Sequence, residues 1–275
     1  MEIKAVDVAK LRKMTGAGMM DCKRALVESE CDFDKAKEII REKGKLVAAK
    51  RADRETSEGA VIAKVSNDKK KAILISLGCE TDFVAQNQEF QDLANAIADA
   101  AINSFPADKD ALMQVKLADG RTIQAAVTEQ TGKSGEKHVI AFYNTIEAEF
   151  IDSYIHMNGK VATIVGFNKT ISHEAGKEIA MQITAMSPVS INRDSCPQEI
   201  IDKEMEMYRQ QIAEEGKPAN LVDRIAEGKL HKFFKESTLE DQAFTRDTKI
   251  SVKDYLKSVD AEVKVLSFSR FSLND

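Results

Sequence analysis

Ala60-Val61-Ile62-Ala63-Lys64-Val65-Ser66-Asn67-Asp68-Lys69-Lys70-Lys71-Ala72-Ile73-Leu74-Ile75-Ser76-Leu77 is the stretch on which the fold turns. Ala60–Val65 and Ala72–Leu77 alternate or run apolar on either side of the polar turn Ser66-Asn67-Asp68-Lys69, which predicts a β-hairpin. Everything before it has helical spacing, so a helical unit gives way here to a sheet.

Upstream, residues 1–54 read as a compact three-helix unit. A first helix is expected from about Asp7 to Met14 and a second from Met19 to Glu30, with Thr15-Gly16-Ala17-Gly18 as the turn between them. Asp32 caps a third helix, on which Phe33, Ala36, Ile39 and Ile40 share one face, and Gly44 is read as its stop. The basic run Lys45–Arg54 fits either a continued helix or a linker.

Downstream, a helix beginning at Phe83 or Asn87 and running to Asn103 buries Phe90, Leu93, Ala94, Ile97 and Ala101, and a third strand falls at Val139–Tyr143. The grammar then recurs: strand Val161–Phe167, helix Ser172–Met186 with Ala175, Ile179, Ile183 and Met186 at helical spacing, and closing strand Val263–Phe271. Two related units are expected, each a three-stranded antiparallel sheet covered on one face by helices, an α+β fold. Between the second helix and its closing strand, Ile201, Met205, Tyr208 and Ile212 step like a coiled-coil seam. Gly216-Lys217-Pro218 breaks that helix, and Leu221, Val222, Ile225 and Leu230 continue on a return helix. So short a seam must pair with itself, and it leaves open self-association with another molecule.

Forty basic and 45 acidic side chains are interspersed over 275 residues, for a net charge of −5. No large positive field is available for nucleic acid phosphates, so a protein partner is expected rather than direct nucleic acid binding. The first residues have no apolar leader, and no run of about 18 apolar residues could span a membrane, which predicts a cytoplasmic protein. Cys22, Cys31, Cys79 and Cys196 are widely spaced and read as reduced thiols, with no metal site and no cofactor expected.

Covalent catalysis finds little support. There is no phosphate-binding G-x-x-x-x-G-K-[ST], no G-x-G-x-x-G after a strand, no G-x-S-x-G and no H-E-x-x-H. His138, His173 and His231 read as capping or surface residues, and His156 lies just before a strand. Cys22 and Cys79 sit in apolar contexts that suit packing.

Two stretches place unusual residues where a fold does not need them. Adjacent Met19 and Met20 at a helix start cannot both point inward, and soft exposed methionine suits a protein-binding surface; packing over a small core is the competing reading. In Cys79-Glu80-Thr81-Asp82-Phe83-Val84-Ala85, Thr81 and Asp82 could be an ordinary helix cap, while Phe83 would project near a loop tip.

Taken together, TGAGMMDCKRAL (15–26), TDFVA (81–85) and SYIHMNGKVATIVGF (153–167) resemble the bacterial elongation factor Ts family, in order and from about residue 5 onward. The resemblance implies an N-terminal three-helix domain of ubiquitin-associated type (1–54), a core of two related subdomains (55–148, and 149–189 with 236–275) and an inserted coiled-coil hairpin (190–235). It implies a guanine nucleotide exchange factor that promotes GDP release from elongation factor Tu without covalent chemistry. Thr81, Asp82, Phe83 and Val84 match positions that displace the partner's Mg²⁺, and Arg12, Met19, Met20, Lys23, Arg51 and His156 match partner contacts.

Three departures accompany the match. Thr131-Gly132-Lys133-Ser134-Gly135 is polar where members can offer an apolar contact, position 51 is arginine where lysine is expected, and the sequence ends at Asp275 without the further helix of some members. The alternative to an exchange factor is a non-catalytic interaction or chaperone scaffold.

Overall fold

The computed structural model describes residues 3–156 and 158–275; Met1 and Glu2, and Met157 of the 153–167 motif, lie outside the described residues. Three helices come first: α1 (Ala5–Thr15), α2 (Met19–Glu28) and α3 (Phe33–Lys50). They close over Val8, Leu11, Ala17, Cys22, Ala25, Leu26 and Ala36. Gly16, at φ 69°, ends α1 in the left-handed region that glycine adopts without strain, and the Asp32 carboxylate caps α3 through the amides of Asp34 and Lys35. Gly44 does not stop α3. The helix runs through it to Lys50, which settles the first half of the basic run as helix, and a turn carries the chain on to Arg54.

The hairpin follows as β1 (Glu58–Val65) and β2 (Lys71–Cys79). After it come a single helical turn α4 (Asp82–Ala85), helix α5 (Gln88–Ser104), the short α6 (Lys109–Gln114), and α7 (Ile123–Ser134). Both suggested helix starts therefore exist, as two separate elements. Strand β3 (Val139–Glu147) returns beside β2, giving an antiparallel sheet in the order β1-β2-β3. A second antiparallel sheet combines β4 (Phe150–Ile155), β5 (Val161–Phe167) and the last strand, in the order β4-β5-β8 once β8 (Val265–Ser272) is reached.

The two sheets pack face to face. Val61, Ala72, Leu74, Ile146, Ile151, Ala162 and Ile164 form the layer between them, and the Phe142 and Phe271 rings stack there at 4.6 Å. Each sheet turns its other face to helices: Ile73, Ile75 and Leu77 meet Phe90, Ala94, Ile97 and Ala101 of α5, while Val165 and Phe167 meet Ile179 and Ile183 of α8 (His173–Met186). The central strands β2 and β5 are buried on both faces, which is why they read as continuous apolar runs rather than alternating ones. The architecture is α+β.

Met186, placed by its spacing on the buried stripe of α8, is 44% exposed because it falls on the last helical position, where the chain turns away through left-handed Ser187. Beyond a turn at Arg193–Ser195, α9 (Gln198–Glu214) and α10 (Ala219–Ser237) form the antiparallel hairpin. Ile212, Ala226 and Phe234 are buried, Ile201, Met205, Tyr208, Val222, Ile225 and Leu230 are half-buried, and Leu221 faces solvent. Arg209 and Asp223 join the two helices by an ion pair of 2.8 Å. A two-strand ribbon, β6 (Ala243–Phe244) with β7 (Asp247–Ser251), and α11 (Val252–Val259) precede β8.

Candidate functional site

Strands β2 and β3 pair as far as Gly78 and Val139, and beyond that point the two chains must part to admit the α4 turn. Two carboxylates fill the gap, each bonded to the other chain. Glu80 accepts the Lys137 amide at 2.6 Å, and Glu136 accepts the Thr81 amide at 3.1 Å. Glu136 also takes the Thr81 hydroxyl proton at 2.7 Å, and the same hydroxyl oxygen caps α4 by accepting from the Val84 amide at 3.4 Å. Thr81 therefore does cap a helical turn.

Asp82 and Phe83 point outward from that cap. Phe83 is 83% exposed, and Asp82 is exposed as well, while Val84 is half-buried against the α5 side of the core. A large aromatic ring held in water at a loop tip does nothing for the fold. Asp82 lines a cleft of about 460 Å³ together with Gln86 and Gln91 on one side and Glu58, Asn158 and Lys160 on the other. The turn that leads into β5 is tied to β1, by the Val61 amide to the Gly159 carbonyl and by Lys160 to Glu58 at 2.8 Å, which brings Asn158 and Lys160 to the cleft beside Asp82.

His156 stands exposed on that second turn, its Nδ1 at 3.4 Å from the Tyr154 hydroxyl. It borders a shallow, largely apolar depression of about 310 Å³ with Tyr154, Val161, Met181 and Ala185.

Arg51 does not extend freely into solvent. One of its terminal nitrogens lies 2.8 Å from both oxygens of Glu80, and Lys137 reaches back from the same place to the carbonyls of Ala52 and Arg54. The Lys137 amide first, and then the Arg51 guanidinium, hold the Glu80 carboxyl below the usual carboxylate range. The linker after α3 is in this way pinned to the base of the 81–84 turn.

Arg12 on α1 and Met19, Met20 and Lys23 on α2 lie on the helical bundle instead. Met19 and Met20 are 48% and 64% exposed, so both methionines face water, and Arg12 and Lys23 are exposed without an ion-pair partner among the described residues. Beside them Asp21 is paired with Lys43 and Arg24, and the Lys43 contact above all lowers its pKa. Bundle and core meet where α3 crosses α7. The segment Thr131–Gly135 belongs to this contact and not to a free loop: it is the last turn of α7 and its left-handed cap, with Thr131 buried and bonded to the His138 amide.

His138, taken as a capping or surface residue, is 6% exposed. Its backbone begins the re-entry toward β3, which draws the ring in against Phe90. The cysteines are unpaired, three of them buried, and burial followed by the Glu136 charge pushes the Cys79 thiol up to about 12, so it stays protonated and unreactive. Among the described residues, no three His, Cys, Asp or Glu side chains are grouped to hold a metal. Glu80 and Glu136 escaped the sequence reading altogether: 56 residues apart, they leave no local signal, and only the end of the β2–β3 ladder brings them together.

A helical bundle docked on a two-sheet α+β core, with an inserted helical hairpin and exposed apolar side chains presented at two turns, defines a modular protein of a recognisable class. The elongation factor TS family model matches residues 80–275. The chain is 49% identical over 274 residues to elongation factor Ts of Christiangramia forsetii, covering 99% of each. It is 48% identical over 275 residues to that of Porphyromonas gingivalis, covering 100% of this chain and 99% of the relative. Elongation factor Ts of Chloroherpeton thalassium is 37% identical over 286 positions, again at 100% and 99% coverage. The chain belongs to the elongation factor Ts family and has the role of a translation elongation factor.

Proposed function

We propose that this protein promotes GDP release from elongation factor Tu by inserting the Thr81–Val84 turn near the partner's nucleotide site, after which GTP rebinds. A GTPase holds GDP through backbone amides around the phosphates and a Mg²⁺ ion that bridges phosphate oxygens to protein. Mg²⁺ demands near-octahedral geometry, so a small displacement of its ligands weakens it sharply. Phe83 wedges between elements of the GTPase, and Asp82 pulls on polar groups near the metal, which belongs to the partner. By linkage, whatever factor weakens GDP must weaken the exchange factor equally when GDP is bound, so the ternary complex is transient.

The observation that carries this reading is Phe83, 83% exposed on a turn whose cap is fixed from behind. Burying it against a partner is worth about 1.5–3 kcal/mol. Arg12, Met19, Met20 and Lys23 form a second contact on the bundle, His156 a third on the core, and Arg51 belongs to the set with its charge engaged by Glu80. The proposed working units are 1–54, 55–148, 149–189 with 236–275, and the hairpin 190–235.

The test is to load elongation factor Tu with a fluorescent GDP and follow its release with and without this protein. Release should accelerate in proportion to added factor. No acceleration would leave the chain a scaffold and overturn the proposal.

A further inference from the structure

We propose that Glu136 is a positioning residue for the 81–84 turn, holding Thr81 from behind so that Asp82 and Phe83 meet a partner already oriented. This rests on the reading of that turn as the exchange element. α4 has only four residues, too few to be stable as an isolated helix, so its placement has to come from what holds its two ends: Ala85, buried in the core with its carbonyl bonded by Gln91, and the cap residue Thr81 before it. Asp82 and Phe83 are both exposed, and the Asp82 carboxylate makes no hydrogen bond or ion pair among the described residues, so neither side chain fixes the turn itself.

At the start of the turn, the side-chain bonds converge on Thr81. The amide and the hydroxyl of that one residue both donate to the Glu136 carboxylate, at 3.1 and 2.7 Å. Bonds to an ionised acceptor are roughly twice as strong as neutral ones. The hydroxyl contact also sets a direction: with its proton committed to Glu136, the Thr81 oxygen turns a lone pair to the Val84 amide, and the cap and the brace reinforce each other. Behind Thr81, the Cys79 thiol donates to its carbonyl at 3.3 Å.

Glu136 is itself held. Its amide donates to the Ser134 hydroxyl at 3.0 Å, just past the end of α7, and its carbonyl lies 2.9 Å from His138 Nδ1. Because a carbonyl can only accept, Nδ1 is the donor. A mount anchored at α7 and in the core therefore carries the turn, and the mirror-image bond from Lys137 to Glu80 locks the neighbouring chain. A turn ordered in advance does not lose conformational freedom when it inserts, which is where a preorganised element gains over a loose one.

The experiment compares Glu136→Ala, Glu136→Gln and the double change Asp82→Ala with Phe83→Ala in the full-length protein. Three readouts are taken: the maximal rate of fluorescent GDP release from elongation factor Tu, the thermal midpoint, and amide hydrogen exchange across 81–85. Glu136→Ala is expected to slow maximal release by about tenfold, to speed hydrogen exchange of the Thr81 and Val84 amides, and to leave the thermal midpoint close to wild type. Glu136→Gln, which retains an acceptor for one Thr81 donor, recovers part of both effects.

Wild-type release and unchanged hydrogen exchange in Glu136→Ala would overturn the proposal. So would a loss of release that only tracks the thermal midpoint, with glutamine no better than alanine. If the Asp82 and Phe83 double change also releases GDP at the wild-type rate, it is the underlying reading of the turn that fails. If the double change is slow while Glu136→Ala is not, the brace alone fails.

Discussion

Gly44 and Gly132 meet backbone to backbone where α3 crosses α7: a Cβ on Gly132 would lie 2.7 Å from the Gly44 Cα. The reverse is not symmetric. A Cβ on Gly44 would find the Gly132 Cα and the Thr128 carbonyl oxygen at 3.6 Å, an ordinary contact. This crossing seats the helical bundle, with Met19 and Met20, on the core that carries Phe83.

The two glycines should therefore respond in opposite directions to alanine. Gly132→Ala must push the helices apart and is expected to lower stability by about 1–3 kcal/mol. Gly44→Ala removes a flexible residue from a helix interior without a clash and should raise stability by about 0.5–1 kcal/mol. Urea unfolding of the two variants checks this, and equal losses would contradict the crossing as described.

His138 gives the fold a pH dependence whose sign can be stated. Its Nδ1 donates to the Glu136 carbonyl, its Nε2 is buried without a hydrogen-bond partner among the described residues, and burial lowers its pKa below the ordinary value. The neutral ring is thus the folded form. Its contribution to stability is complete above the unfolded-state pKa of about 6.5 and is lost as pH falls below it toward the folded value. Unfolding free energies measured between neutral and mildly acidic pH should fall more steeply for the wild type than for His138→Gln, even though the variant is less stable at neutral pH.

Asp152 is 2% exposed on β4, and its Oδ2 accepts from His173 Nδ1 at 2.7 Å in the first turn of α8. His173→Ala leaves a buried carboxylate short of a donor and should lower stability by about 1–2 kcal/mol, read from the denaturation midpoint. Gly176→Ala would place a methyl 2.8 Å from the same oxygen and should be at least as damaging.

Met19→Ser with Met20→Ser should leave the thermal midpoint nearly unchanged, since both side chains already face water. Loss of two apolar anchors is nonetheless expected to weaken the complex with elongation factor Tu by about tenfold or more, measured by calorimetry.

Legibility followed local signal. β2 and β5 were plain because buried strands are continuous apolar runs, and β1 because it pairs with β2 across a polar turn. α11 was missed although Ser251 and Asp254 make a capping box at its start, a signature visible in the sequence. α7 was hidden because its buried face includes Gln130 and Thr131 and because Gly132 reads as a breaker; a glycine at a helix crossing and a glycine at a helix end look alike until the second helix is present. The same ambiguity made Gly44 a stop. β4 was obscured by buried Asp152, an acidic residue in a strand whose side-chain partner, His173, lies 21 residues further on. Of the candidate site, exposed Phe83 and the methionine pair were readable as residues out of place, whereas the Glu80 and Glu136 pair depends on where a sheet ends.

The most direct measurement sets two numbers side by side for Asp82→Ala with Phe83→Ala: the maximal rate of GDP release from elongation factor Tu, and the dissociation constant of the nucleotide-free complex. An element that acts by distorting the nucleotide site should lose release by about a hundredfold while the nucleotide-free complex weakens by about tenfold or less. Equal losses in the two would contradict the account and make the turn an adhesive patch.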